Sequence, residues 1–250
     1  MIVVDVGNTN IVIGIYSGKK IYKINRFKTK NNNISQSLKT LFNHRTISKY
    51  NFDYKICTIS SVVPGIDQKI IIFFQSLNFK VLTVKISNIP QKIKFHYKFG
   101  QLGADRIANT FSAIEKYGND CIIIDFGTAT TFDVIKNRVY EGGIISPGIN
   151  ISHEALVKNA SKLNKILIVR TKSIVGKNTK SSMQSGFYWG YISLINGIIN
   201  KIIIQKKFKP NIILTGGLAN IFKKEIEFKT FYEPNLTLQG LYLIGQTKYA

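Results

Sequence analysis

The stretch Ile2–Gly14, IVVDVGNTNIVIG, decides the fold. An apolar run halts at Asp5, turns through Gly7, Asn8 and Thr9, and resumes as a second apolar run. That is the pattern of two strands joined by a tight turn. Gly7 and Asn8 are residue types that accept positive φ. Such a turn aims successive backbone N–H groups at one point and forms a concavity for an anion. Asp5 ends the first strand, a poor place for a core residue. An ordinary hairpin whose Asp caps the turn has the same local pattern, so the distinction rests on whether the chain uses the device again.

It does. Ile122–Ile135 reads IIIDFGTATTFDVI: three isoleucines, Asp125, one residue, Gly127, a hydroxyl-rich turn and a second strand. Asp125 follows Asp5 by 120 positions in a chain of 250. Two half-chains that open alike suggest two similar domains. Two phosphate-sized concavities and two carboxylates facing one cleft would suit a nucleoside triphosphate with its metal ion. The expected fold is therefore α/β, with two similar domains, each a mixed sheet with flanking helices, facing one cleft for a nucleotide. The boundary is expected at Tyr117, giving domains 1–117 and 118–250.

Composition bounds the reading. The chain is 44% hydrophobic and 19% charged, as expected of a globular protein with real cores. No continuous apolar run is long enough to span a bilayer, and Met1 leads straight into the first strand, so neither a membrane anchor nor a signal peptide is expected. Cys57 and Cys121 lie in strand-like apolar settings and read as free thiols in a reducing cytoplasm. Net charge is +22, from 35 basic and 13 acidic residues. The lysines are spread along the chain among many Ile and Asn, as a codon bias would leave them, and no basic helix, zinc-finger spacing or aromatic nucleic-acid motif accompanies them. The expected partners are therefore small anions rather than nucleic acid.

Between the two hairpins the pattern alternates. A third strand is expected over Lys20–Arg26 and a helix from about Ser35. A buried strand, Tyr54–Ser60, ends in Ser60-Ser61-Val62-Val63-Pro64-Gly65, where N–H groups would be exposed before a helix. Gly103-Ala104-Asp105-Arg106 opens a periodic helix. Asp105 there is either a simple N-cap or, with Arg106 and Gly103, a polar constellation open to a ligand. In the second half, a strand is expected over Ile166–Val169. A long helix from about Ser181 carries Gly186 and Gly190 on one face, and Thr215-Gly216-Gly217 ends a strand where a flat ring or phosphate can approach the backbone. A C-terminal helix starts near Asn235. There is no P-loop and no dinucleotide fingerprint.

These motifs, in this order, resemble the type III pantothenate kinase family of the actin–hexokinase–Hsp70 superfamily. Asp5-Val6-Gly7-Asn8-Thr9 resembles the first phosphate loop, Gly103-Ala104-Asp105-Arg106 the pantothenate-binding and catalytic motif, and Asp125 to Asp133 the second phosphate loop. Glu141-Gly142-Gly143, Pro147-Gly148, Gly176-Lys177-Asn178-Thr179 and Thr215-Gly216-Gly217 resemble later signatures. The resemblance implies that the two domains are actin-like (ribonuclease-H-like) around an ATP cleft, and that the chain carries out ATP-dependent phosphorylation of pantothenate, the first step towards coenzyme A. It assigns ATP to Asp5, Val6, Gly7, Asn8, Thr9, Asn10, Ile11, Val12 and Thr128. Substrate falls to Gly103, Ala104, Asp105, Arg106, Thr179 and Tyr97, with Asp105 as the catalytic base. Tyr97 departs from the family pattern: Lys98-Phe99-Gly100 follows it without the usual Pro. The resemblance also implies a monovalent cation, K⁺ or NH₄⁺, at Asp125, Mg²⁺ entering with ATP beside Asp5, and a homodimer. Another small-molecule kinase on the same fold, or a non-catalytic nucleotide-binding regulator, are the alternatives.

Overall fold

The computed structural model describes every residue except 19, 31–32, 44–46, 48–49, 51, 53–54, 90–92, 99 and 250. Tyr54, which opens the expected buried strand, and Phe99, which follows Tyr97 by two positions, lie outside the described residues. The first half runs β1 (Ile2–Val6), β2 (Asn10–Ser17), β3 (Lys20–Lys28), α1 (Ile34–Leu41), β4 (Ile56–Ser61), α2 (Ile66–Ser76), β5 (Lys80–Thr83), β6 (Lys94–Phe95) and α3 (Ala104–Tyr117). The second runs β7 (Cys121–Phe126), β8 (Ala129–Lys136), β9 (Val139–Pro147), α4 (Ile149–Asn159), α5 (Thr179–Lys206), β10 (Asn211–Thr215), α6 (Ala219–Phe222), β11 (Thr230–Tyr232) and α7 (Leu236–Tyr249).

Two compact units result, Met1–Glu115 with Leu236–Ala250, and Lys116–Asn235. The first crossing lies in the last turn of α3, beside the expected boundary. The second differs from the expected division. The helix α7, grouped with the second half by the sequence reading, packs instead on β1, β2 and β4 of the first unit. Glycines let it lie close. A Cβ on Gly240 would run into the Ala108 backbone of α3, and one on Gly245 into Thr58 of β4.

The two sheets share one plan. In the first unit the strands lie in the order β3-β2-β1-β4-β5, and in the second β9-β8-β7-β10-β11. In each, the opening strand pairs antiparallel with the next, which pairs antiparallel with the third. On its other side the opening strand pairs parallel with the fourth, and the fourth with the fifth. Even the irregularities match. A register shift falls between Ile15 and Tyr16 of β2 and between Val134 and Ile135 of β8. Allowing for the second turn's being one residue shorter, those positions correspond. The extra residues, Tyr22 and Glu141, lie on the third strand of each sheet, where a bulge adds local twist.

The β-branched runs make the strands, and their alternation sorts the faces. Val4, Val6, Ile11, Ile13, Ile15 and Ile59 pack with Leu38, Ile70 and Phe74 of α1 and α2. Ile122, Ile124 and Phe126 pack with Tyr188, Ile192, Ile195 and Ile199 of α5. By length and composition α5 could cross a membrane, but its inner face is this core. The strand expected over Ile166–Val169 does not form. The segment finds no strand partner among the described residues and is held by side chains, with Ile166 N–H donating to His153 Nε2 and Gln184 Nε2 donating to the Leu167 carbonyl.

Candidate active site

In the first unit, parallel β1 and β4 end at the same edge of the sheet. Asp5 is in register with Ser60 and Val6 with Ser61, and Val62 N–H donates to the Val6 carbonyl at 3.0 Å. Gly103, at the start of α3, lies against that edge. A Cβ there would sit 3.6 Å from Val62 Cγ1 and only 2.5 Å from Asp105 Oδ1. The structure thus brings the Asp5 strand end and Asp105 to one end of the sheet. The space at Gly103 belongs to the Asp105 carboxylate itself, where the sequence reading reserved it for a ligand.

Asp105 is not the helix cap. Ile107 N–H donates to the Gly103 carbonyl at 3.2 Å, so α3 starts from Gly103 and Asp105 lies in its first turn. Its Oδ1 accepts the Arg106 N–H at 2.8 Å. Burial pushes its carboxyl above the ordinary carboxylate range, while the Arg106 N–H and guanidinium pull against that rise. Desolvation of this kind raises a carboxylate's affinity for a proton, and a neighbouring cation lowers it. Arg106 is itself buried, and its guanidinium stands 5.9 Å from the centre of the Tyr97 ring, within cation–π range. Tyr97 therefore belongs beside the Gly103–Arg106 motif despite its irregular spacing.

The first hairpin turn is closed by Gly7 N–H donating to the Asn10 carbonyl at 3.0 Å. Neither Gly7 nor Asn8 has positive φ, contrary to the expected use of these residues. Gly7 serves by closeness instead, since a Cβ would lie 3.2 Å from the Asn10 oxygen. Asn8 and Thr9 are exposed at the tip, whereas the Val6 and Ile11 side chains are buried and only their backbone can meet a ligand. No sequence motif pointed to Thr29. Its hydroxyl donates to the Gly7 carbonyl at 2.6 Å and its N–H to the Thr9 carbonyl at 3.0 Å, stapling the turn from the end of β3. Pairing β2 with β3 places Thr29 there, 22 residues along the chain.

The second unit repeats the construction with different supports. Gly127 N–H donates to the Ala129 carbonyl at 3.1 Å, and Thr128 is exposed at the tip. Gly148 braces this turn, for a Cβ there would fall 2.8 Å from the Gly127 oxygen and closer still to that of Thr128. Asp125 is in register with Thr131 on one side and Thr215 on the other. Gly216, at φ +89°, lets the chain pass over it, since a Cβ would strike the Asp125 carboxylate and the Phe126 backbone. The room expected there for a ring or phosphate is thus filled at Gly216, while Gly217 faces open space. Asp133 is buried and accepts the Tyr140 hydroxyl at 2.8 Å, a structural tie.

Thr179 is exposed at the first turn of α5, just after Asn178, whose side chain caps the helix by accepting the Ser181 N–H at 2.9 Å. It borders a groove of about 650 Å³ lined also by Leu156, Leu163, Ser182, Met183, Gly186 and Phe187. Thr179, Thr128 and Asp125 thus belong to the second unit, and Tyr97 and Gly103–Arg106 to the first. Among the described residues no three His, Cys, Asp or Glu side chains cluster closely enough to hold a metal ion. A lone carboxylate suits an ion whose other ligands are phosphates and water, as with Mg²⁺ on a nucleotide.

Comparison with known proteins agrees with this geometry. Residues 1–201 match the family model described as type III pantothenate kinase. The type III pantothenate kinase of Persephonella marina is 40% identical over 249 residues, covering 96% of this chain and 95% of that protein. Solved structures share the fold at low identity. A candidate Baf family transcriptional activator from Campylobacter jejuni has a TM-score of 0.65 at 19% identity, over 99% of this chain and 98% of that one. The ROK hexokinase of Thermus thermophilus has a TM-score of 0.54 at 12% identity, with both chains fully covered.

Proposed function

This chain belongs to the type III pantothenate kinase family, and from that premise we propose how its residues divide the phosphorylation of pantothenate by ATP. The observation that carries the assignment is the Asp105 carboxylate. It is desolvated, seated in the space left by Gly103, and gathered with Arg106 and Tyr97 at the strand end that carries Asp5. Phosphoryl transfer asks for alignment and charge neutralisation more than for covalent help. Asp105 accepts the proton of the attacking primary hydroxyl as the new phosphorus–oxygen bond forms and the bond to ADP breaks. Arg106 and Tyr97 hold the substrate, and Thr179 donates a further hydrogen bond to it.

Backbone N–H groups over Asp5–Val12, in the turn stapled by Thr29, hold the ATP phosphates, as does the Thr128 turn braced by Gly148. Asp5 is the carboxylate for Mg²⁺, which would spread charge over the phosphates. Asp125, a hard oxygen donor at a strand end, is the corresponding residue for K⁺ or NH₄⁺. The test is ADP release from purified protein with pantothenate among a panel of small hydroxyl substrates, run in potassium, ammonium, sodium and lithium salts at one ionic strength. Turnover is expected with pantothenate alone, high in K⁺ or NH₄⁺ and small in Na⁺ or Li⁺. Equal rates in all four salts would remove the cation role of Asp125, and ADP release with a different substrate would favour the other small-molecule kinase.

A homodimer through the second unit fits the surface. The segment from Leu167 to Val175 is tied to α5 through Thr171 and Trp189, yet its Leu167 and Val175 side chains are 78% and 76% exposed. Gly186 and Gly190 of the same helix face open space. Light scattering at micromolar concentration is expected to give twice the chain mass of 28.2 kDa, and a monomer would reject the interface. The cytoplasm is the compartment we infer, since both cysteines are buried free thiols, the usual state where glutathione keeps thiols reduced.

A further inference from the structure

The Ser60-Ser61-Val62 strand end has no part in the assignment above, yet its geometry is specific. Ser61 makes a local turn, its Oγ accepting the Val63 N–H at 3.2 Å. Ser60 is different. It is fully buried, and its hydroxyl has no hydrogen-bond partner among the described residues. A hydroxyl buried without a partner is destabilising, so an alanine would be the more stabilising choice were packing the only demand. Ser60 lies in register with Asp5 on the neighbouring parallel strand. Neighbouring strands lie about 4.8 Å apart and partners in register point to one face, so the hydroxyl and the carboxylate are neighbours. The second unit repeats the juxtaposition, with Thr215 buried and in register beside Asp125. In both units a hydroxyl residue on the fourth strand flanks the carboxylate that closes the first.

We propose that Ser60 is a positioning residue for Asp5, donating its O–H to the Asp5 carboxylate when a metal–nucleotide is bound. This rests on the reading of Asp5 as the Mg²⁺-side carboxylate. A carboxylate that serves a metal is held in orientation by a hydrogen bond from behind, and losing such a partner typically costs about 10–100-fold in metal affinity. Ser60 has the reach and the spare donor, and burial keeps water from competing for it.

Calorimetric titration of ADP into the full chain, once with Mg²⁺ and once with EDTA, tests it. Ser60→Ala is expected to weaken Mg²⁺-dependent ADP binding by about 10–100-fold and to leave metal-free ADP binding unchanged. Its melting temperature is expected to equal or exceed the parent's, because an unpaired buried hydroxyl is gone. Ser60→Thr, the residue type of the second unit, is expected to restore the metal-dependent gain. If Asp5→Asn abolishes that gain while Ser60→Ala keeps it, the role of Ser60 is overturned and that of Asp5 stands. If Asp5→Asn leaves the gain intact, the reading of Asp5 fails and takes the Ser60 role with it. A fall in melting temperature with unchanged Mg²⁺–ADP binding makes Ser60 a packing residue only.

Discussion

Asp105→Asn is expected to lower kcat by about 10²–10⁴-fold, the usual contribution of a positioned base, with ATP affinity close to the parent's. The substitution keeps the shape and the acceptor for the Arg106 N–H but removes the site for a proton. ATP affinity is expected to be spared because the turns proposed to hold the phosphates belong to the β1–β2 and β7–β8 hairpins, whereas Asp105 sits on α3. The pH profile follows from burial. The carboxyl is raised above its ordinary value, so the base is lost as pH falls through that raised value, and the acid limb of kcat/KM lies above that of an exposed aspartate. Stability runs the other way. The folded chain binds this proton more tightly than the unfolded chain, so stability falls as pH rises from the ordinary to the raised value. The penalty is complete once the pH is above that raised value. Asp105→Asn removes it, and its melting temperature there is expected to match or exceed the parent's. Turnover within about threefold of the parent, far short of a base's contribution, would leave Asp105 as a first-turn carboxylate favoured by the helix dipole.

The paired hairpins were legible because their signal is local. β-branched runs broken by Asp-x-Gly define strand, turn and strand without help from distant residues, and the repetition predicted the common plan of both sheets. Supports that depend on pairing were not legible. Thr29 reaches the Gly7 turn only because β3 lies beside β2, and Ser60 meets Asp5 only through the parallel β1–β4 register. The placement of α7 was hidden for another reason. Leu236, Leu238, Gly240, Leu241, Tyr242, Ile244 and Gly245 are all buried, so no single apolar stripe pointed to one neighbour, and two of its glycines matter only against the Ala108 and Thr58 backbone or side chain they meet. Ile166–Val169 failed as a strand because apolar β-formers need an edge to pair with, and this segment is spent along α5 instead. Gly7 and Gly103 were both singled out, the first for a positive φ that it does not have and the second for the room it leaves. At Gly7 and Gly103 the demand is for space, set by atoms that the local sequence does not reveal.

Gly148→Ala should show that demand at its strongest. The backbone at Gly148 is extended, with φ −67° and ψ 152°, a conformation alanine adopts freely, so no strain in φ opposes the change. What opposes it is contact. The new methyl would lie 2.8 Å from the Gly127 oxygen and the Thr128 carbonyl carbon, and nearer still to the Thr128 oxygen. These are backbone atoms at a turn closed by the Gly127 N–H bond to Ala129, so they cannot swing aside as a side chain would. The turn has to move by about an ångström, and misplacing reacting groups by that much costs on the order of 100-fold. The expected result is a fall of that size in kcat/KM for ATP, with KM for pantothenate little changed because the atoms crowded are those of Gly127 and Thr128, not of the residues proposed to hold pantothenate. Stability should fall by roughly 1–3 kcal/mol, as for other overpacked sites. Gly190→Ala is the control, because its Cβ would meet nothing within 4 Å in the single chain, and helix propensity favours the change by about 1 kcal/mol. If Gly148→Ala melts lower yet keeps its kcat/KM for ATP, the Thr128 turn has moved without consequence and does not hold the phosphates. If it loses both while Gly190→Ala loses neither, the brace at Gly148 acts through the phosphate turn.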